Sequence, residues 1–254
     1  MPSLDEHSSA DEPQPWRDRH GTGGCVTSSR FGCALAGEVT ARRSRQPVRV
    51  HGYVQSINVR KVLWCCAELQ LDAQLVERGT ETCPVSDASF RNMSPMGLVP
   101  VIEDGAIVLS QSNSIIRYLA RREKREDLMP VALAAAAEVD RWLDWQATDL
   151  NDSWRYSFMA LHRASERHRD KDEIARSLKA FTSMMVLADR QLVSTGAFIA
   201  GQQFTIADIA FGLSLRRWWS MNIAGRTMRG LDAYYQRLCK RPAFLPFGGP
   251  NSPA

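Results

Sequence analysis

The sequence predicts an α/β domain followed by an all-α domain. Two observations carry this reading. From Val48 to Arg122, short apolar runs of strand length alternate with helical periodicity in the order β-α-β-α-β-β-α. From Val131 to Arg241 helix formers dominate and no strand-like alternation returns. A chain of 254 residues, 44% hydrophobic and 24% charged, has ample material for two packed domains.

Residues 1–46 differ from the rest. "MPSLDEHSSADEPQPWRDRHGTGG" is polar and rich in Pro, Ser and Gly, and "TARRSRQ" is basic. A stretch with so little to bury is expected to be disordered. Its early acidic residues argue against an organellar transit peptide, and a true start codon further downstream would account for it equally.

Order is expected to begin near Val48. "VRVHGY" is a strand, and "SINVRKVLWCCAELQL" sets Val59, Val62, Leu63, Cys66 and Leu69 at helical spacing. "DAQLVER" is a second strand and "SDASFRNM" a short helix or turn. "LVPVIE" and "AIVLS" are strands around Asp104-Gly105, and Ser112 to Arg122 is a helix. The α/β domain thus covers 47–123, with a linker near 123–130. "AALAAAAEVDRWLDWQA" and "DEIARSLKAFTSMMVLADRQLV" are helices of the second domain, residues 131–243. Residues 244–254 are expected to form a flexible tail.

Net charge and motifs narrow the function. A net charge of +4 over this length gives no case for nucleic acid, and no apolar run reaches the length of a membrane span. Cys25, Cys33, Cys65, Cys66, Cys83 and Cys239 show neither C-x-x-C nor metal-ligand spacing. They are expected to be reduced thiols of a cytoplasmic protein without a metal.

Three constellations stand out. Ser56 sits where a strand gives way to a helix, with Asn58 two residues on. That placement suits an N-cap, and equally a site that stabilises an anion or thiolate. Pro100, inside the apolar run Val99–Val101, fits an edge strand, or a cis peptide that leaves neighbouring backbone groups pointing at a ligand. Gln111 and Ser112 precede "NSIIRYL" at another helix N-terminus, suited to capping or to a carboxylate. Thr205 and Asp208 in "TIADIA" have capping-box spacing and carry structure rather than chemistry. His51 falls in the first strand and is expected to be structural.

"SINVRKVLW", "GLVPVIEDG…LSQSNSIIRYLA" and "FIAGQQFTIADIAFG", in this order, resemble the cytosolic glutathione S-transferases of the bacterial, theta-like, serine type. The resemblance covers roughly 48–243. It implies a thioredoxin-like domain that holds glutathione as co-substrate and a helical domain that supplies the pocket for a small apolar electrophile. Ser56 resembles the serine that hydrogen-bonds the glutathione sulfur. Val99, before cis-Pro100, would pair its backbone with the cysteinyl part, and Gln111 and Ser112 would bind the γ-glutamyl carboxylate. Met96 stands where the family often has Asn or a basic residue; Arg91 could serve the glycyl end, though no motif fixes it there. A detoxifying homodimer is implied as well.

Trp154 and Phe158, at i and i+4, and Trp218 or Trp219 from a later helix, are the candidate walls of the electrophile pocket; Trp142 and Trp145 are read as core. Two other functions fit parts of the pattern. "Ser56-Ile-Asn58" resembles the layout of members that reduce disulfides with bound glutathione, with Asn58 supporting the sulfur. A non-catalytic binding module would have no chemical need for Ser56, Pro100, Gln111 and Ser112 together.

Overall fold

The computed structural model describes residues 28–31, 46–221 and 228–252. The α/β unit runs β2 (Val48–Gly52), α1 (Ile57–Glu68), β3 (Ala73–Glu77), α2 (Ala88–Met93), β4 (Val101–Asp104), β5 (Ile107–Ser110) and α3 (Ser112–Arg122). β2 pairs parallel with β3 and antiparallel with β4, and β4 pairs antiparallel with β5. This is the thioredoxin-like order that the resemblance implies. Gly52 ends β2 because a Cβ there would lie 2.3 Å from Val59 Cγ2, so strand and helix close only over glycine.

Among the described residues one strand precedes these. β1 (Ser28–Phe31) pairs antiparallel with β3, giving the sheet order β1-β3-β2-β4-β5. The expectation of disorder across 1–46 is therefore corrected at Ser28–Phe31. A four-residue strand can form there because β3 would otherwise present an open row of backbone groups. The remainder of the extension, with Cys25 and Cys33, lies outside the described residues. The expectation of uniformly reduced cysteines is corrected at Cys83, which is disulfide-bonded, whereas Cys65, Cys66 and Cys239 are free.

The helical domain comprises α4 (Leu133–Trp145), a π turn (Gln146–Leu150) that leads directly into α5 (Asn151–Leu161), α6 (Lys171–Thr195), α7 (Ile206–Ser220), α8 (Arg229–Cys239) and α9 (Leu245–Gly248). α7 is buried along nearly its whole length, and Gly212 lets it approach Leu238 and Trp64. Its N-terminus is closed by the predicted capping box, with Asp208 Oδ2 accepting from the Thr205 N–H at 2.8 Å.

The expected flexible tail is not one. Phe247 is buried, Arg60 Nη1 donates to its carbonyl at 3.0 Å, and Arg216 reaches the carbonyls of Gly249, Pro250 and Ser252. Backbone carbonyls, invisible to a composition argument, hold this segment down. α1 joins the two domains: Trp64 packs on Phe204 and Phe244, and Glu68 makes a bidentate pair with Arg241 at 2.9 and 2.7 Å.

Candidate active site

The sheet register brings the predicted residues to one edge. His51 of β2 faces Val101 of β4, and Val101 faces Ser110 of β5. The β2–α1 loop, the Val99–Pro100 peptide and the β5–α3 junction therefore meet at the carboxyl end of β2. The Val99–Pro100 bond is cis, and β4 begins immediately after it.

Ser56 is the N-cap residue of α1, in extended conformation, but its side chain makes no cap bond. Among the described residues the partly exposed hydroxyl has no hydrogen-bond partner, so capping does not explain it. The backbone N–H and C=O of Val99 are likewise unpaired within the described residues. Gln111 is the N-cap of α3, with φ 69° and no capping bond, and its Nε2 lies 3.9 Å from Met96 Sδ. A non-glycine residue held in the left-handed region next to an uncapped helix N-terminus is the kind of local strain that collects at binding sites. Arg91 is engaged elsewhere, donating to the Pro95 carbonyl at 3.0 Å.

Asn58 and Ser112 come together. Ser112 Oγ donates to Asn58 Oδ1 at 3.2 Å and accepts from Lys61 Nζ at 3.2 Å. Lys61, 1% exposed, also donates to Asn113 Oδ1 (2.7 Å) and Gln146 Oε1 (3.0 Å), so the helical domain supplies one of its three acceptors. Burial lowers its ammonium pKa to about 7. Sequence reading missed Lys61. The signal was a basic pair, Arg60-Lys61, between Val59 and the apolar run 62–67 on the same helix.

Among the described residues no free cysteine thiol is poised for attack. Burial pushes Cys66 up to about 12 and Cys65 well above the usual thiol range, and Cys239 is also raised. His51 is buried in β2 and paired with Glu103, with its pKa lowered by burial. Among the described residues no cluster of His, Cys, Asp or Glu could hold a metal.

Trp154 and Phe158 are buried on α5 and meet edge-on at 5.6 Å. Trp218 is buried on α7 but has no ring contact with them among the described residues; Trp219 packs on Tyr235 instead. The residue that reaches the pair from α7 is Arg217, with Cζ 4.4 Å from the Trp154 centroid and 4.0 Å from that of Phe158. The sequence reading overlooked it beside the two tryptophans of "LRRWW". A cleft of about 950 Å³ between α4 and α6, lined by Arg141, Trp142 and Lys179, contains none of the predicted site residues.

Comparison with known proteins agrees with this architecture. Residues 55–122 match the family model "Glutathione S-transferase, N-terminal domain". A glutathione S-transferase of Escherichia coli K12, GstB, is 32% identical over 198 residues, covering 77% of this chain and 95% of that protein. A theta class glutathione S-transferase from Xanthomonas axonopodis pv. citri, solved with glutathione bound, is 33% identical with a TM-score of 0.73. That match covers 79% of this chain and 96% of the other. A Bombyx mori glutathione transferase, 20% identical with a TM-score of 0.70, shares the fold. The helix that begins at an uncapped serine, the cis-proline beside it and the agreement along nearly the full length of these relatives make this chain a member of the glutathione S-transferase family, and an enzyme of that kind.

Proposed function

We propose that the enzyme binds glutathione along the edge of the sheet and activates its thiol through Ser56 for attack on a small electrophile. The observation that carries this reading is the Ser56 hydroxyl, which has no partner among the described residues and stands at the N-terminus of a twelve-residue helix. The backbone of Val99 would pair with the cysteinyl unit. Gln111, Ser112 and the open N-terminus of α3 would take the γ-glutamyl carboxylate. The thiolate sulfur forms a bond to the electrophilic carbon, and the leaving group departs with its electron pair.

The magnitudes suffice without a general base. A thiol of pKa about 8.5 is only a few per cent thiolate at pH 7, and lowering that value by about two units needs about 2.7 kcal/mol. A hydroxyl hydrogen bond to the charged sulfur contributes about 1.5–3 kcal/mol. The α1 N-terminus adds about 0.3–1 kcal/mol. A cytoplasmic homodimer belongs to the same reading, and among the described residues no helix is long and apolar enough to cross a membrane.

Disulfide reduction supported by Asn58 is the second reading: Asn58 Oδ1 accepts from Ser112, which orients the amide and leaves its Nδ2 donors for a sulfur. A binding module without catalysis leaves the uncapped Ser56 unexplained. The test is an ultraviolet titration of bound glutathione in the wild type and in Ser56→Ala. A bound-thiol pKa well below that of free glutathione, returned toward it by the substitution, supports the proposal. Bound glutathione with an ordinary pKa in the wild type refutes thiolate activation.

A further inference from the structure

Arg217 is a buried cation with no counter-ion among the described residues. It is 3% exposed and, among the described residues, its guanidinium forms no hydrogen bond or ion pair. Its Nε is buried without a partner, as is Nε1 of the neighbouring Trp154. The guanidinium lies against both Trp154 and Phe158. A second guanidinium, Arg163, stands 5.7 Å from the Phe158 centroid, and the His162 ring stacks on Phe158 at 5.3 Å. Arg163 and His162 are exposed, so the cationic cluster opens to solvent at the end of α5.

The titratable groups that act on Arg217 include Arg60, Lys61, His162, Arg163 and the Tyr53 hydroxyl, and no carboxylate is among them. Burial and the two arginines lower its pKa to about 9. Two aromatic faces offset part of the desolvation of such a cation, but they leave its N–H donors unsatisfied. Tyr53, whose hydroxyl acts electrostatically on Arg217, lies three residues before Ser56 in the β2–α1 loop.

We propose that the cluster of Trp154, Phe158 and Arg217, open to solvent at His162 and Arg163, takes an aromatic ligand bearing a carboxylate, and that the preferred electrophile is therefore anionic rather than purely apolar. The inference about the electrophile rests on the proposed transferase reading; the binding of the anion does not. The ring would lie against Trp154 and Phe158, and the carboxylate would accept from Arg217. A glutathione carboxylate could offer the same anion, so the test separates the two sources.

The probes are 2-naphthoate and its neutral analogue 2-naphthamide, followed by quenching of tryptophan fluorescence at pH 7. The wild type should bind the carboxylate at least about tenfold more tightly. That preference should persist at saturating glutathione and shrink in Arg217→Met, with Arg217→Lys intermediate. Equal binding of the two probes by the wild type overturns the proposal, whatever the variants do. Displacement of naphthoate by glutathione also overturns it, assigning Arg217 to the peptide. Conjugation is read separately with 4-chloro-3,5-dinitrobenzoate and its methyl ester, where chloride leaves as the C–S bond forms. A preference for the carboxylate, corrected for the uncatalysed rates, supports the anionic electrophile. Anion binding without any conjugation would sink the transferase reading and leave the anion site standing.

Discussion

Asp208 offers a stability prediction whose size can be worked out from the structure. The side chain is fully buried and accepts four hydrogen bonds. Oδ1 takes the Ile199 N–H at 2.9 Å and the Tyr234 hydroxyl at 3.1 Å; Oδ2 takes the Thr205 N–H at 2.8 Å and the Thr205 hydroxyl at 3.3 Å. Asp208→Ala removes all four. Bonds to a charged acceptor are worth about 1.5–3 kcal/mol each, so the gross loss is about 6–12 kcal/mol. Burial raises the carboxyl pKa to about 6. Relief of that charge returns about 3 kcal/mol at pH 7. Water entering the emptied space lowers the remainder, and the expected net loss is at least about 3 kcal/mol, or roughly 6–12 °C in Tm. Urea unfolding followed by circular dichroism measures it. The pH dependence has a definite sign. With a folded pKa above the unfolded value, the contribution of Asp208 is fully present below about pH 4 and is lost as pH rises through about 6. The gap between wild type and variant should therefore be wider at pH 4.5 than at pH 7. A loss under about 1 kcal/mol would refute the ledger of four bonds, and a gap that widens with pH would show that the donors, not burial, govern the carboxylate.

Lys61→Met should behave in the opposite sense. The folded pKa of Lys61 lies below its unfolded value, so its contribution is present at high pH and is lost as pH falls through about 7. Urea unfolding at pH 7 and pH 9 should show the wild type gaining more than about 1 kcal/mol over the variant at the higher pH; parallel profiles would contradict this. Asn58→Ala deprives the Ser112 hydroxyl of its acceptor. Glutathione affinity, read by calorimetry, should fall about five- to tenfold while the bound-thiol pKa stays put; a pKa shift as large as that of Ser56→Ala would return Asn58 to the sulfur. Truncation after Ala243 removes the Phe247 contact and exposes Arg60. A stability loss of about 2–4 kcal/mol is expected, and an unchanged midpoint would show that the terminal segment does not hold the fold.

Much of the α/β domain was legible because its signals are local. The helix Ser112–Arg122 is found at its expected bounds, and Val59, Val62, Leu63, Cys66 and Leu69 are all buried as their spacing requires. Pro100 marked its own position, since a proline within an apolar run is hard to place inside a strand. What escaped were partners distant in sequence. Lys61 meets Gln146, and Arg217 meets Trp154 and Phe158, only after the chain folds back. Buried cations are legible in a sequence only as charges in the wrong place, and "LRRWW" and "VRKV" contain such charges. The docking of Phe247 and the pairing of Ser28–Phe31 depend on backbone groups, which leave no trace in composition.

The face of α1 that carries Arg60, Lys61, Trp64 and Glu68 points away from its own sheet. Arg60 holds the C-terminal segment, Lys61 the π turn, Trp64 two phenylalanines and Glu68 an arginine of the last turns. The first helix of one domain is thus a core element of the other, and the linker near 123–130 divides the sequence without dividing the folding unit. Residues 47–123 produced alone would expose two cations, an indole and a carboxylate evolved for company. A chimaera that exchanges helical domains between relatives must carry this face of α1 with the incoming partner.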